Sequence, residues 1–432
     1  MTGKIVNSMN ALAPEVAAAS SELHHLILGP GAELEAEWIA AGLELPDLVS
    51  MREYRLARLR RQLDLMGYDG AILWDPMNIR YATDSTNMQV WAGHFPSRYC
   101  WVGADGSLIL WDFFECGFLS GHNPNVSEVR GADAPTYFLA GPRHEEASRR
   151  WANEMLDVIR RHAGERPRVA VDNLNWPEAD KLRAGGVTLG SGQELMELAR
   201  SIKGPDELKA MRCSVHACET TMAEMRAELR PGMTERDVWA MLHAGNIRRG
   251  GEWIETQILS SGPRTNPWMQ EVSSRIIEDG DLVAYDTDLV GAYGMMCDIS
   301  RTWLVGDGKP TATQRNTYDL ARHQIEHNLE LLTPGRTFHE LTHQSWMPPV
   351  EEYRHYCVNY HGVGQCDEFP EITFPHMWDK IGWDGVLEPG MVLTVEAYVG
   401  PRAGGEGVKL EEQVLVTESG PDRLSSAVFD LA

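Results

Sequence analysis

Val283-Ala-Tyr-Asp286-Thr-Asp288-Leu289 and the return segment Cys297-Asp298-Ile-Ser-Arg-Thr-Trp303 are the part of the chain from which the rest can be read. Apolar and β-branched residues predict strands here. Period-two alternation would aim the Asp286 and Asp288 carboxylates at one face. Two like charges there need a cation. A turn containing Gly291 and Gly294 would bring Asp298 back on the neighbouring strand, toward the same cation. Far downstream stand His361 in His-Gly-Val-Gly, Glu396 in Leu-Thr-Val-Glu-Ala-Tyr and Glu411 in Lys-Leu-Glu-Glu-Gln-Val, all in apolar or Gly-rich settings. Alone, each acid would read as a residue at a sheet edge. Carboxylates are seldom buried unless paired or metal-bound, so together they favour a divalent-metal site.

Around this segment, strand-like stretches dominate beyond about Gly251, at 254–259, 282–288, 296–305, 391–399 and 408–416. Helical stretches near 311–332 and 337–346 interrupt them. Upstream, Arg200-Ser-Ile-Lys-Gly-Pro-Asp-Glu207 marks a domain boundary, because Gly204-Pro205 punctuates it and Asp206 opens an acidic first turn. A long helix should follow, with Leu208, Met211, Val215, Cys218, Met222, Met225 and Leu229 as its apolar stripe. Its methionines read as core. Thr234 and Asp237 predict the N-cap and acidic first turn of the next helix. Before the boundary, Leu56, Leu59, Leu63 and Met66 recur at helical spacing, Gly67 can end that helix, and Ala71-Ile-Leu-Trp74 reads as a buried strand. The expected organisation is α/β (α+β), with a polar Ala- and Glu-rich extension at 1–48, an N-terminal domain at 49–195 and a catalytic domain at 196–432.

The 432 residues carry 63 Asp and Glu against 39 Lys and Arg, a formal charge of −24. Nucleic-acid binding needs a basic face, and the dense basic cluster Arg58, Arg60 and Arg61 lies on an amphipathic helix, where it reads as a solvated face. Seven cysteines without CxxC spacing read as reduced thiols. The apolar stretch within residues 1–20 is cut by Pro14 and Glu15, so neither a secretory signal nor a spanning helix fits. A cytoplasmic protein with no membrane and no nucleic-acid partner is expected.

The order of these motifs resembles the pita-bread metallohydrolase superfamily of methionine aminopeptidases, prolidases, aminopeptidase P and creatinase. The resemblance covers about residues 200–432. Asn78-Ile-Arg-Tyr81 makes the preceding domain resemble the creatinase and prolidase N-terminal domain. It implies two divalent metal ions per chain, held by Asp, Asp, His, Glu and Glu in that order. Carried over residue by residue, this assigns Asp298, His361, Glu396 and Glu411. The first aspartate of the pattern would fall at Thr287, so the flanking Asp286 and Asp288 are both taken as ligands, Asp286 first. An oxygen-rich set with one imidazole suits iron, zinc, manganese or cobalt.

Two proton-handling groups of the peptidases are missing. Their pattern carries a histidine seven residues after the ligand histidine, whereas His361-Gly-Val-Gly-Gln-Cys-Asp367-Glu368 is one residue shorter and has Asp367 in that place. Ser261-Gly-Pro-Arg-Thr-Asn-Pro-Trp268 offers an indole where the prolidase loop supplies another histidine. What remains is a Lewis-acid centre, a carboxylate base and the aromatics Trp268, Tyr356, Tyr360, Trp91 and Tyr99. That set suits a zwitterion whose carboxylate binds metal, whose α-proton is removed and whose cationic leaving group rests on π-faces. A sulfonium betaine meets these requirements. Asp-Thr-Asp-Leu-Val-Gly-Ala-Tyr-Gly and His-Gly-Val-Gly-Gln-Cys-Asp-Glu indeed resemble the dimethylsulfoniopropionate lyases of this superfamily, the DddP class. That resemblance implies a β-elimination giving dimethyl sulfide and acrylate, iron as the usual metal and a cytoplasmic homodimer. It further implies Asp367 as base, Tyr356 as an aromatic beside the substrate and Trp91 as an aid in binding the sulfonium. The alternative is an Xaa-Pro dipeptidase or aminopeptidase that tolerates these substitutions.

Overall fold

A computed structural model describes residues 29–431, so residues 1–28 of the expected extension, with the stretch read for a signal, lie outside the described residues. The described chain forms two compact units, 47–200 and a second made of 29–46 with 201–431.

The first unit is a six-stranded sheet of β1 (Gly70–Leu73), β2 (Tyr99–Gly103), β3 (Leu108–Asp112), β4 (Glu128–Gly131), β5 (Arg168–Val171) and β6 (Thr188–Ser191), in the order β4-β3-β2-β1-β5-β6. Its central strands read as continuous apolar runs because helices cover both faces. Alternation divides them. Ala71, Leu73, Cys100, Val102, Leu108 and Leu110 join Leu56, Leu59 and Leu63 of helix Leu48–Met66 and Leu195 and Met196 of helix Gly192–Arg200. Ile72, Tyr99, Trp101, Ile109 and Trp111 point the other way, onto Trp151, Met155 and Ile159 of helix His144–Ala163. Gly67 ends the first of these helices with a left-handed φ of 66°. Arg58 and Arg60 do not form a free solvated face: they donate to the carbonyls of Leu198 and Ala199 and of Gly106. Tyr99, expected beside a substrate, is instead core, with ring centroids 4.3 Å from Trp74 and 5.0 Å from Trp111.

The second unit opens with helix Ala32–Ala40, whose fully buried Trp38 packs 5.9 Å from Tyr293. Helix Pro205–Glu228 starts as the sequence predicts: Pro205 takes the first helical position and Glu207 accepts from Gly204 N at 3.0 Å. Thr234 and Asp237 cap Glu235–Arg248 reciprocally. The strands are β7 (Trp253–Ile254), β8 (Leu259–Ser261), β9 (Leu282–Tyr285), β10 (Leu289–Val290), β11 (Met296–Cys297), β12 (Arg301–Leu304), β13 (Tyr353–Arg354), β14 (Tyr360–Val363), β15 (Asp367–Ile372), β16 (Val392–Pro401), β17 (Val408–Thr417) and β18 (Gly420–Arg423). The stretches expected at 254–259 and 296–305 are thus each broken in two. β11-β10-β7 and β12-β9-β8 are small sheets; the larger one runs β15-β14-β16-β17-β18, with β13 also pairing β16.

Alternation along β16 and β17 positions the functional face. Leu393, Val395, Ala397 and Val399 on β16 and Val408, Leu410, Val414 and Val416 on β17 pack with Tyr318, Ala321 and Ile325 of helix Ala312–Leu329. Glu396 and Tyr398, and Lys409, Glu411 and Gln413, therefore project from the opposite face. Among the described residues no helix is long and apolar enough to cross a membrane. All seven cysteines are free thiols.

Candidate metal centre

Register brings the candidate ligands of the large sheet together. Glu396 and Glu411 are direct partners across β16 and β17, and His361 on β14 pairs with Thr394. Carboxylates directly opposite each other in a ladder repel unless a cation separates them. Asp286 and Asp288 arrive differently from the single alternating strand that the sequence predicts. β9 ends at Tyr285, β10 begins at Leu289, and Asp288 takes a left-handed φ of 36°. A kink in the backbone, rather than the pleat, turns both carboxylates inward. Thr287 pins that kink, its Oγ1 donating to Cys297 O at 3.0 Å and accepting from Ile299 N at 2.9 Å. The same two bonds fix Asp298, which lies between β11 and β12.

All six predicted ligands meet. Ligand atoms of Asp298, His361 and Glu411 lie within 4.8 Å of one another, as do those of Asp286, Asp288 and Asp298. His361 Nε2 stands 3.4 Å from Asp298 Oδ2, 3.4 Å from Glu396 Oε1 and 3.6 Å from Glu411 Oε1. Asp298 Oδ1 and Glu411 Oε1 are buried and accept no hydrogen bond. Burial raises the carboxyls of Asp298 and Asp288 far above the usual range, and Glu411 and Asp286 respectively raise them further. Burial would raise Glu411 too, yet the Lys409 ammonium and the His361 ring hold it well below the usual range. Burial disfavours the His361 imidazolium, but Asp367, Glu396 and Glu411 outweigh it and push that ring well above ordinary histidine. A cluster that draws protons this strongly is short of positive charge. Its oxygen-rich donors and orphaned oxygens fit divalent metal ions.

The outer nitrogen of His361, Nδ1, lies 3.2 Å from Gly362 O and 3.5 Å from Asp367 Oδ1. The loop carrying Asp367 is anchored by its neighbour. Glu368 is buried, accepting from Lys203 Nζ at 2.9 Å and Gln365 N at 2.9 Å, and it fills the space a side chain at Gly364 would need. Asp367 consequently points outward, its side chain 56% exposed. Partial burial raises its carboxyl, His361 opposes the rise and Glu411 adds to it. Tyr356 packs against a buried group of Trp268, Tyr398, Ile258 and Ala284. Tyr360, next to His361, faces away into the core and bonds Ser345 and Asn328 O. Trp91 stands in the first unit, within an aromatic cluster whose other rings, Phe95, Phe113 and Phe138, have centroids 5.3, 5.6 and 5.7 Å from its own.

Three groups at the centre escaped the sequence reading. Lys409 Nζ lies 2.8 Å from Asp286 Oδ2, 2.8 Å from Glu396 Oε2, 3.0 Å from Glu411 Oε2 and 2.8 Å from Ser300 Oγ. Ser300 Oγ is itself 2.7 Å from both Asp286 Oδ1 and Glu411 Oε2, and Thr256 donates to Asp288. For Lys409 the signal was present: a lysine two residues before Glu411 in an apolar strand must share its face.

Comparison with known proteins follows the same lines. Residues 209–418 match the profile of metallopeptidase family M24. The chain is 47% identical over 412 residues to dimethylsulfoniopropionate lyase DddP of Roseovarius nubinhibens, covering 94% of this chain and 92% of that one. It is 43% identical to the protein of the same name from Roseobacter denitrificans, covering 95% and 94%. Among solved structures it resembles an Xaa-Pro dipeptidase from Bacillus anthracis, with a TM-score of 0.70 at 22% identity over 87% of this chain and 98% of that one.

Proposed function

The chain belongs to the dimethylsulfoniopropionate lyase DddP family, and from that premise we propose that its pita-bread unit cleaves dimethylsulfoniopropionate to dimethyl sulfide and acrylate by base-initiated β-elimination. The observation that carries this reading is the buried nest of Asp286, Asp288, Asp298, His361 and Glu411 with Asp367 at its outer edge. Membership of the M24 fold implies divalent metal ions. Asp286, Asp288, Asp298, His361, Glu396 and Glu411 would hold two of them, with iron proposed and zinc, manganese or cobalt compatible with the same donors. When bound, the ions supply Lewis acidity that stabilises negative charge on the substrate carboxylate as the α-proton leaves.

The chain's own residues do the rest. Asp367 takes the α-proton, and the electron pair of that C–H bond becomes the carbon–carbon double bond. The β carbon–sulfur bond breaks with both electrons going to sulfur, so the sulfonium departs as neutral dimethyl sulfide and acrylate keeps the carboxylate. Asp367 then sheds its proton to solvent, which its exposure allows. His361 Nδ1 faces Asp367 Oδ1 and orients it. Tyr356 offers its π-face to the sulfonium, and Trp268, stacked on Tyr398 with centroids 5.7 Å apart, builds the wall behind it. An acidic chain with no membrane-crossing helix among its described residues suits a cytoplasmic homodimer acting on a small zwitterion.

Amide hydrolysis would need a proton donated to the leaving amine, and Asp367 stands where the peptidases keep a histidine. Headspace dimethyl sulfide from purified protein, before chelation, after it and after iron or zinc restoration, tests the reading. Release that vanishes on chelation and returns with metal is expected. No release from protein holding two metals per chain would instead send the search to proline dipeptides.

A further inference from the structure

We propose that Lys409 is a third, permanent cation of the metal centre: a positioning residue whose ammonium holds Asp286, Glu396 and Glu411 in place. The inference rests on the reading of this centre as one that binds divalent metal. Lys409 is fully buried on β17, two residues from Glu411 on the same face. Its three protons are donated to Asp286 Oδ2, Ser300 Oγ and Glu411 Oε2 at 2.8 to 3.0 Å, and Glu396 Oε2 stands 2.8 Å away as an ion-pair partner. None is left for a substrate carboxylate. Its charge also lies 5.1 Å from the Tyr356 ring centroid and 5.7 Å from that of Trp268, so aromatic walls rather than water surround it.

Charge explains why such a residue is needed. Asp286, Asp288, Asp298, Glu396 and Glu411 are five carboxylates, and one ammonium leaves a formal charge of four negative. Two divalent ions cancel that remainder. Without Lys409 the metal-loaded centre would keep an uncompensated buried negative charge, and the metal-free centre would lose the cation that stands between Asp286, Glu396 and Glu411. Removing one partner of a buried ion cluster is costly because the others stay behind unpaired. The cost should therefore fall most heavily on the metal-free protein. Lys409 keeps the ligands assembled while metal is absent.

Thermal unfolding of the wild type, Lys409→Met and Lys409→Arg, each metal-loaded and chelated, tests this. The chelated Met variant is expected to melt roughly 5 °C or more below chelated wild type, while the loaded Met variant loses less than half as much, so that the gap between loaded and chelated forms widens. Lys409→Arg, which keeps the charge, should bring the gap back toward the wild-type value. Equal losses in the two forms would mean that Lys409 only packs, and an Arg variant as impaired as the Met variant would show that charge is not its contribution; either overturns the proposal. Recovery of the Met variant as folded protein only when metal is supplied during expression would support it. A wild type whose melting does not respond to chelation would overturn the metal reading beneath it, and no lyase assay enters the comparison.

Discussion

Asp172 in the first unit and Asp298 in the second are both buried carboxylates, and the chain treats them in opposite ways. Asp172 accepts from Trp74 N at 2.5 Å, Asn78 Nδ2 at 2.8 Å and Asp75 N at 3.3 Å. Asp298 has one oxygen 3.4 Å from the His361 ring and another that accepts nothing. The first is closed by protein donors, and it ties β5 to the turn after β1. The second is left open beside further carboxylates. A buried acid becomes a site when the fold withholds the donors that would satisfy it, and that withholding is what separates the two units chemically.

The comparison breaks if the open cluster does not depend on cations. Glu411→Ala should remove most bound metal, measured by elemental analysis, and lower dimethyl sulfide release by roughly a thousandfold or more, since several kcal/mol of charge stabilisation leave with the ions. Asp172→Ala in the first unit should leave metal content untouched. A Glu411→Ala protein with full metal and full rate would strike Glu411 from the ligand set.

Asp367→Asn separates base from ligand. Metal content should match wild type, while the elimination rate falls by about 10²- to 10⁴-fold, the usual worth of a general base. A rate near wild type would place the base elsewhere. Tyr356→Ala should act more gently: KM for the sulfonium substrate rises roughly 3- to 30-fold at constant metal content, as expected for a cation–π contact of about 0.5 to 2 kcal/mol. If KM is unchanged, the ring serves only as cover for Lys409.

How much of this could be read in advance differs between residues. The six candidate ligands were legible as a set, because acids and a histidine in apolar or glycine-rich settings are rare without a cation. The geometry that joins Asp286 and Asp288 was not. Alternation along one strand gave the right neighbours for the wrong reason, since the kink at Asp288 depends on Thr287 bonding to a segment ten residues away. Tyr360 could have been excluded from the site, because it is adjacent to His361 in a strand and must face the other way. The convergence of Lys409 with Asp286 and Glu396 lay beyond the sequence, because a strand shows which residues share its face but not which other elements meet it. Trp38 escaped for a similar reason: the helix at 32–40 has little periodicity of its own, and its place is set by Tyr293 far along the chain.

The closed carboxylate sharpens the comparison through pH. Burial outweighs the donors around Asp172 and pushes its carboxyl up from 3.8 to about 6. A raised folded-state value for an acid means that the folded protein binds a proton more readily than the unfolded one between about pH 4 and 6. Above that window Asp172 is ionised in both states and folding bears the full cost of burying its charge. As pH falls through 6 the cost is relieved, and below about 4 no further change arises. The total is at most about 3 kcal/mol, or a few degrees in melting temperature. Other groups titrate as well, so the quantity to follow is the melting temperature of wild type minus that of Asp172→Asn. This difference should move in favour of wild type by a few degrees as pH is lowered from 7.5 to 5. A difference that stays flat would mean the hydrogen bonds from Trp74, Asp75 and Asn78 keep Asp172 fully ionised across this range, and the closed acid would then be closed in charge as well as in geometry.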